Sequence, residues 1–179
     1  MKRSLVIMTI IVFMAAFTLS LPAQDEGRMN VIGSLGFAVS DFEGLFLDIG
    51  AELQFSDKFY GQLLFDYYSN PLPESLPAGV NDSAYGINLY GVLKHSSSEK
   101  LNLFAKAGLH YTTIKLSASS GGITVSGTTG DFGVGGGAGI EYILNDKLTL
   151  LFGATVKFIF AEDTGTWFKF YSGVSYRVK

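Results

Sequence analysis

The chain has 179 residues, a formal charge of −3 at pH 7, 22 glycines, two histidines and no cysteine. Charged residues make up 16% of the sequence, against about 25% in an ordinary soluble domain. Without cysteine there is no disulfide, thiolate metal site or cysteine nucleophile, and two histidines are too few for a multi-histidine zinc site. The small acidic excess leaves no electrostatic basis for binding nucleic acid. We therefore expect no cofactor and no nucleic-acid partner.

The N-terminus has the pattern of a secretory signal peptide. A basic pair precedes an apolar run from Leu5 to Leu21, and polar residues follow directly after Ala23. An uncleaved membrane anchor is the alternative, because the run is close to the length of a spanning helix. We predict a signal peptide over 1–23 and one domain over 24–179. Secretion without cysteine is typical of a bacterial envelope protein.

The rest of the chain alternates apolar and polar residues with a period of two, which predicts strands. Eight runs have this pattern, each about 11 to 16 residues long against a usual mode of about 5–6. They are 29–39, 45–56, 59–69, 84–94, 101–116, 131–144, 148–160 and 167–178. Short turns alternate with longer connections, of which 70–83 and 117–130 are the longest. Long strands and asymmetric connections are typical of outer-membrane barrels, so we predict an all-β, eight-stranded antiparallel up-and-down transmembrane β-barrel.

The two faces of these strands differ in charge. One parity is apolar or uncharged in every run, and we expect it to face lipid, because a midplane charge costs about 2–4 kcal/mol. The other parity carries side chains that we predict to form an ion-pair network in the lumen: Asp48, Glu52, Asp66, Lys106, Glu141, Lys157 and Lys169. In the predicted register Lys106 falls close to Glu141, and Asp48 falls near Asp66. Such a network fills the barrel and predicts a plug, not a channel.

Aromatic residues collect near the strand ends, where they predict two membrane girdles. The girdle residues are Phe55, Phe59, Tyr142 and Tyr176 near the short turns, and Tyr67, Tyr85, Tyr111, Phe132 and Phe168 near the long connections. Aromatic β-propensity alone is the alternative explanation.

Three further features have structural explanations. The glycine run from Gly133 to Gly139 lacks the following helix of a dinucleotide-binding loop, and we expect its lumen-facing glycines to make room for tyrosines of neighbouring strands. His110 has no serine two residues away and no nearby carboxylate, which favours a hydrogen-bonded interior histidine over a hydrolase base. The low-complexity segment 117–130 predicts a mobile surface loop.

The segment Gly139–Leu150 (GIEYILNDKLTL), echoed at Gly50–Phe59, is similar to a recurring hairpin of small outer-membrane β-barrels, the OmpA/OmpX-like group. The C-terminal Tyr176 and Val178 resemble the signal recognised by the barrel insertion machinery. The resemblance implies an eight-stranded barrel, insertion by that machinery with periplasmic chaperones, and no shared catalytic residue.

The leading hypothesis is an integral barrel of the bacterial outer membrane, of structural or surface-interaction type and without enzymatic activity. We expect a monomer in contact with outer-membrane lipid, with a surface ligand at 70–83 and 117–130. Two alternatives stay open. One is a lipid-modifying barrel enzyme, and the other is a soluble secreted barrel whose apolar parity faces inward around an apolar ligand.

Overall fold

The computed structural model describes residues 27–69, 71, 80–120, 123–160 and 165–178. Eight antiparallel strands close into a barrel in which each pairs with its sequence neighbours and β8 pairs with β1. The strands are β1 (Met29–Ser40), β2 (Gly44–Gln54), β3 (Phe59–Ser69), β4 (Val80–Ser98), β5 (Leu101–Ser120), β6 (Ile123–Ile143), β7 (Leu148–Ile159) and β8 (Thr166–Arg177). The predicted fold class is confirmed, whereas the predicted signal peptide over 1–23 lies outside the described residues.

The strand register sets the width of the barrel. A path that starts at Met29 and crosses from partner to partner through all eight strands returns to β1 at Val39. This displacement along β1 means that the strands are inclined to the barrel axis. An eight-stranded barrel of this kind has an interior that side chains can fill.

The apolar parity faces outward, as predicted. Ile49 on β2 and Ile87 on β4 are more than half exposed, whereas their neighbours Asp48 and Asn88 are buried inside. A soluble barrel would place the apolar parity inside, so this arrangement contradicts that alternative. Among the described residues, no helix is long and apolar enough to cross a membrane.

A charge placed on this outer face tests whether the face contacts lipid. Ile49 lies midway along β2, and Ile49→Arg is expected to lower the free energy of unfolding by about 2–4 kcal/mol, because the guanidinium would enter hydrocarbon. The measurement is urea unfolding of the barrel in lipid vesicles. Asp57→Arg, in the exposed turn before β3, is the control and is expected to change the value by less than about 0.5 kcal/mol. Equal effects of the two substitutions would show that Ile49 does not contact lipid.

The prediction of a mobile loop over 117–130 is wrong for the described part of that segment. Residues 117–120 and 123–130 belong to β5 and β6, with Ser117 opposite Ser126. The serines and glycines favour a loop, but the segment also contains β-branched residues that favour strands. The other predicted loop, 70–83, is likewise shorter, because β4 begins at Val80; residues 70 and 72–79 lie outside the described residues.

The longer hairpin also corrects the register between β5 and β6. Pairing continues to Ser120 and Ile123, so the hairpin closes before the middle of the predicted loop. As a result Lys106 lies opposite Gly137, and Glu141 lies opposite Asn102. The predicted position of Lys106 opposite Glu141 in the β5–β6 ladder is therefore wrong, by a shift of four residues.

Candidate functional site

The barrel has two distinct ends. We call the end where β1 begins and β8 ends, with the short turns that precede β3, β5 and β7, the inner end. The opposite end is the outer end. In outer-membrane barrels the short turns face the periplasm and the longer connections face outward.

An aromatic cap, formed by Phe42, Phe46, Tyr68 and Trp167, closes the lumen at the outer end. Phe42 stacks on Trp167 with ring centroids 4.5 Å apart, and its ring lies 5.5 Å from that of Tyr68. The turn before β2 turns Phe42 inward, with the left-handed backbone angles of Ser40 (φ 93°) and Gly44 (φ 110°) on either side.

This turn is also fixed by hydrogen bonds to the first residue of β8 and to Pro71, which follows β3. The Asp41 carboxylate accepts a hydrogen bond from the backbone N–H of Thr166, and the Glu43 N–H donates to the carbonyl of Pro71. The turn that carries Phe42 is therefore held in place against the barrel wall.

Below the cap lies the central ion cluster, formed by Asp48, Asp66, Lys157 and Lys169. Lys157 Nζ is 2.5 Å from Asp66 Oδ2. Lys169 Nζ is 2.7 Å from Asp48 Oδ1 and 3.3 Å from Asp66 Oδ2. Asp48 and Asp66 are register partners, as predicted, and the lysines reach them from β7 and β8. All four side chains are buried, so their mutual pairing offsets the cost of removing charges from water.

Hydrogen bonds connect the cap to this cluster. The Trp167 indole Nε1 donates to the Tyr68 hydroxyl (3.2 Å), which donates to Asp66 Oδ2 (3.0 Å). One continuous contact path therefore runs from the outer end to the middle of the lumen.

Nearer the inner end, Lys94 joins two carboxylates in the inner ion cluster. Lys94 Nζ is 2.7 Å from Glu52 Oε1 and 2.6 Å from Glu141 Oε1. Asn30 donates to Glu52 and Asn102 to Glu141, which satisfies further lone pairs. The predicted network does not include Lys94, because the shifted register assigns Glu141 to Lys106.

Lys106 lies between the two clusters and belongs to neither. Its ammonium is 4.9 Å from the ring centre of Tyr90 and 4.7 Å from that of Tyr171. No ion pair links Lys106 to a carboxylate in the part of the chain that the structure describes. A cavity of about 20 Å³, large enough for one water molecule, lies beside it. The buried cation is thus stabilised by aromatic faces.

This position predicts an unusual result for Lys106→Met. Methionine keeps the packing against Tyr90 and Tyr171 and removes a buried charge that pairs with no carboxylate among the described residues. We expect the free energy of unfolding to stay within about 1 kcal/mol of wild type or to rise, whereas Lys157→Met is expected to cost about 3–5 kcal/mol. Urea unfolding in lipid vesicles measures both. If Lys106→Met lowers the free energy of unfolding by more than about 3 kcal/mol, Lys106 is a member of the ion-pair network after all.

His110 is buried in the lumen, as the sequence predicted. Its Nδ1 lies 3.1 Å from the Thr112 hydroxyl, and its ring packs edge-on against Trp167. The ring lies over Gly133, where any side chain would collide with it. The prediction that these glycines make room for tyrosines is met at Gly135, which Tyr90 approaches, but it is wrong at Gly133, Gly137 and Gly139, whose nearest side chains are those of His110, Thr155 and Phe104. The described residues contain no group of three or more potential ligands that could hold a metal ion.

The predicted girdle residues lie on the outer surface, and all but Phe55 are exposed. Most of them lie near strand ends, whereas Tyr111 and Phe132 lie midway along the extended strands β5 and β6. Tyr67 lies opposite Tyr85, and the rings of Tyr111 and Phe132 are 4.8 Å apart. At the inner end Tyr142 and Tyr176 both pair with β7, and the Phe55 ring packs on Gly61. Their role as membrane anchors stays a prediction.

The lumen opens at the inner end into a cavity of about 280 Å³ with polar and charged walls, the inner vestibule. The described lumen is thus capped at the outer end, filled with ion pairs in the middle and open at the inner end. No sequence motif singled out the vestibule, because its walls come from strand ends and turns that are far apart in the chain.

Comparisons with known proteins agree with this architecture. Residues 8–177 match the outer membrane protein beta-barrel domain family. No curated protein sequence matches the chain.

Three solved structures illustrate the likeness in fold. A major outer membrane protein from Thermus thermophilus is 13% identical, with 85% of this chain and 99% of that chain covered and a TM-score of 0.66. Neisserial surface protein A is 14% identical, with coverages of 84% and 96% and a TM-score of 0.63. Ail, the attachment invasion locus protein of Yersinia pestis, in complex with the heparin analogue sucrose octasulfate, is 15% identical, with coverages of 85% and 99% and a TM-score of 0.56. The match over nearly the whole sequence shows that this chain belongs to the family of outer membrane proteins with a β-barrel domain.

Proposed function

We propose that this chain is an integral barrel of the bacterial outer membrane, of structural and surface-interaction type, that neither catalyses a reaction nor conducts ions. The observation that carries the proposal is the extension of β4, β5 and β6 beyond the rest of the barrel wall. The filled lumen supports the absence of a channel, because buried ion pairs and the aromatic cap occupy the path that ions would take.

The extension has a free strand edge. β6 pairs with β5 as far as Ile123, whereas its ladder with β7 begins only at Gly133. Over 125–131 the edge of β6 therefore has no strand partner among the described residues. Such an edge offers backbone N–H and C=O groups to an extended segment of another protein. Val125, 68% exposed, adds apolar surface to it.

Charge indicates which kind of partner fits this end. The side chains that are exposed or half-buried at the described outer end include the acidic residues Asp41, Glu43 and Asp131 and the basic residue Lys115. An acidic surface attracts basic segments and repels polyanions. We therefore infer a basic, extended protein segment as the partner, in contrast to the sulfated sugar bound in the Ail complex.

The enzyme alternative needs a nucleophile and a base that meet where lipid can reach them. His110 lies inside the lumen beneath the aromatic cap and is 2% exposed, with Thr112 as its partner. This position supports a non-catalytic barrel.

Binding by a hairpin-shortened variant tests the surface role. Residues 113–130, which include nearly all of the free edge, are replaced by an Asn-Gly turn, which suits the remaining Thr112–Asp131 pair. The probes are an alternating lysine–valine octapeptide and sucrose octasulfate. We expect saturable, salt-sensitive binding of the peptide to wild type, no binding of the sulfated sugar, and loss of peptide binding in the variant.

Two controls accompany this experiment. Both proteins must remain in the outer-membrane fraction and shift in mobility on a gel after boiling, as folded barrels do. Equal peptide binding by both folded proteins would refute the role of the hairpin, and steady single-channel conductance of wild type in planar bilayers would refute a closed lumen.

A further inference from the structure

One wall of the inner vestibule is basic. Three cationic side chains line it from adjacent positions: Lys147 before β7, Arg177 at the end of β8 and Arg28 before β1. The Arg177 N–H donates to the Lys147 carbonyl (2.8 Å), and Arg177 lies opposite Asn30 in the β1–β8 ladder. We call Arg28, Lys147 and Arg177 the basic wall.

The vestibule is also lined by the carboxylates of Glu99, Glu141 and Asp146, but four cationic side chains, those of the basic wall and Lys94, outnumber them. On the facing side, Glu141 already pairs with Lys94, at 2.6 Å, and Lys94 also holds Glu52. Across the described residues, no ion pair joins Arg28, Lys147 or Arg177 to a carboxylate. The wall thus presents positive charge to the cavity.

Arg177 also has an unused donor. Its Nε is shielded from solvent and has no hydrogen-bond partner within the described part of the chain. Buried donors in native proteins are nearly always satisfied, so an acceptor is expected at this position. Guanidinium and ammonium groups only donate hydrogen bonds, and an oxyanion is the acceptor that matches both their charge and their geometry.

We propose that the inner vestibule binds an oxyanion group of a small periplasmic molecule against the basic wall, with Arg177 and Arg28 as its main ligands. The cavity of about 280 Å³ is close to the lower size limit of small-molecule sites, about 300 Å³. It accepts a group of dipeptide size. Asn30, Thr149 and Ser175 line the same wall and supply neutral hydrogen-bonding groups. The carboxylate of a peptide and a phosphate share this chemistry.

Titration of the folded, full-length barrel in detergent micelles tests the proposal. The probes are N-acetyl-alanyl-alanine, its neutral C-terminal amide and inorganic phosphate, and the readout is the NMR shift of the Thr149 and Ser175 amides. We expect saturable shifts with the acid or with phosphate and none with the amide. A stronger response to the dipeptide assigns a peptide carboxylate, and a stronger response to phosphate assigns a phosphate group. Equal responses to acid and amide, or no response to either anion, overturn the proposal.

Variants locate the site. Arg177→Gln is expected to weaken binding of the responding anion by about tenfold or more, the value of a charge-assisted hydrogen bond. Lys58→Gln, in an inner turn outside the vestibule lining, is the matched control and is expected to bind like wild type. Arg28→Gln, before the first strand, provides the same test if Arg177→Gln fails to fold. Unchanged binding in a folded variant of either arginine overturns the assignment.

Discussion

Replacing Asp66 by asparagine is expected to lower the free energy of unfolding by about 3–5 kcal/mol. Asp66 Oδ2 lies 2.5 Å from Lys157 Nζ and 3.3 Å from Lys169 Nζ, and none of these side chains reaches water. Asparagine nearly preserves shape but removes the charge that both lysines share. Two ammonium groups would then lie in the lumen with Asp48 as the carboxylate left in their cluster. Removing one partner of a buried ion pair costs far more stability than replacing the whole pair by apolar residues, because the remaining charge is left buried without a partner.

Urea unfolding in lipid vesicles, followed by the emission of Trp167, measures this loss. Trp167 is the only tryptophan of the chain and is fully buried, so its emission reports opening of the lumen. Asp48→Asn is expected to cost less than Asp66→Asn, since Lys169 retains Asp66. Asp57→Asn, in an exposed turn, is expected to have an effect below about 0.5 kcal/mol. If Asp66→Asn and Asp57→Asn unfold at the same urea concentration, the central ion cluster does not stabilise the barrel.

The barrel itself could be predicted from the sequence because successive side chains of a strand point to opposite faces, so that each one faces either the lipid or the lumen. Ile49 and Asp48 are adjacent, and their opposite chemistry assigns them to lipid and lumen without knowledge of any partner strand. Repeated over eight runs, the same rule predicts a closed sheet with a lipid-facing exterior. The opposition of Asp48 and Asp66 could also be predicted, because the short turn between β2 and β3 leaves little freedom in register.

The partners of the lysines could not be predicted in the same way. A shift of the β5–β6 hairpin by four residues preserves the parity of every side chain, so the alternation is equally satisfied with Lys106 opposite Glu141 or opposite Gly137. The pairs that form cross the lumen: Lys94 reaches Glu141 from β4, although β4 and β6 do not share a ladder. Such contacts depend on the tilt of the strands, which no single hairpin reveals.

The aromatic cap was missed for a related reason. Phe42 lies in a turn, where the period of two gives no direction for the side chain. Its inward position follows from the backbone angles of Ser40 and Gly44 and from hydrogen bonds to Thr166 and Pro71. The nearest sequence signal is the buried aromatic set on the lumen parity, Phe46, Tyr68 and Trp167, which leaves an apolar surface that a turn residue can cover.

Trp167→Ala is expected to cost about 3–5 kcal/mol, the usual range for a buried aromatic side chain. The indole is fully buried, stacks on Phe42 and lies edge-on to Tyr68 and His110. Its loss would leave a cavity at the outer end and remove the hydrogen bond that orients the Tyr68 hydroxyl toward Asp66. The effect is therefore expected to reach the central ion cluster as well as the cap.

The adjacent residue provides the matched control. Phe168 follows Trp167 on the same strand but faces outward and is 45% exposed. Phe168→Ala removes an aromatic ring from the lipid side, where hydrocarbon chains can fill the space, so a smaller loss is expected than for Trp167→Ala. The two variants are compared by urea unfolding followed by circular dichroism, because Trp167→Ala removes the fluorescent reporter. A loss for Trp167→Ala no larger than that for Phe168→Ala would mean that the cap contributes little to stability.

A double variant, Trp167→Ala with Asp66→Asn, measures the energetic coupling between the aromatic cap and the central ion cluster. The combined loss in the free energy of unfolding is expected to be smaller than the sum of the two single losses, because both substitutions disturb the hydrogen bonds of the Tyr68 hydroxyl.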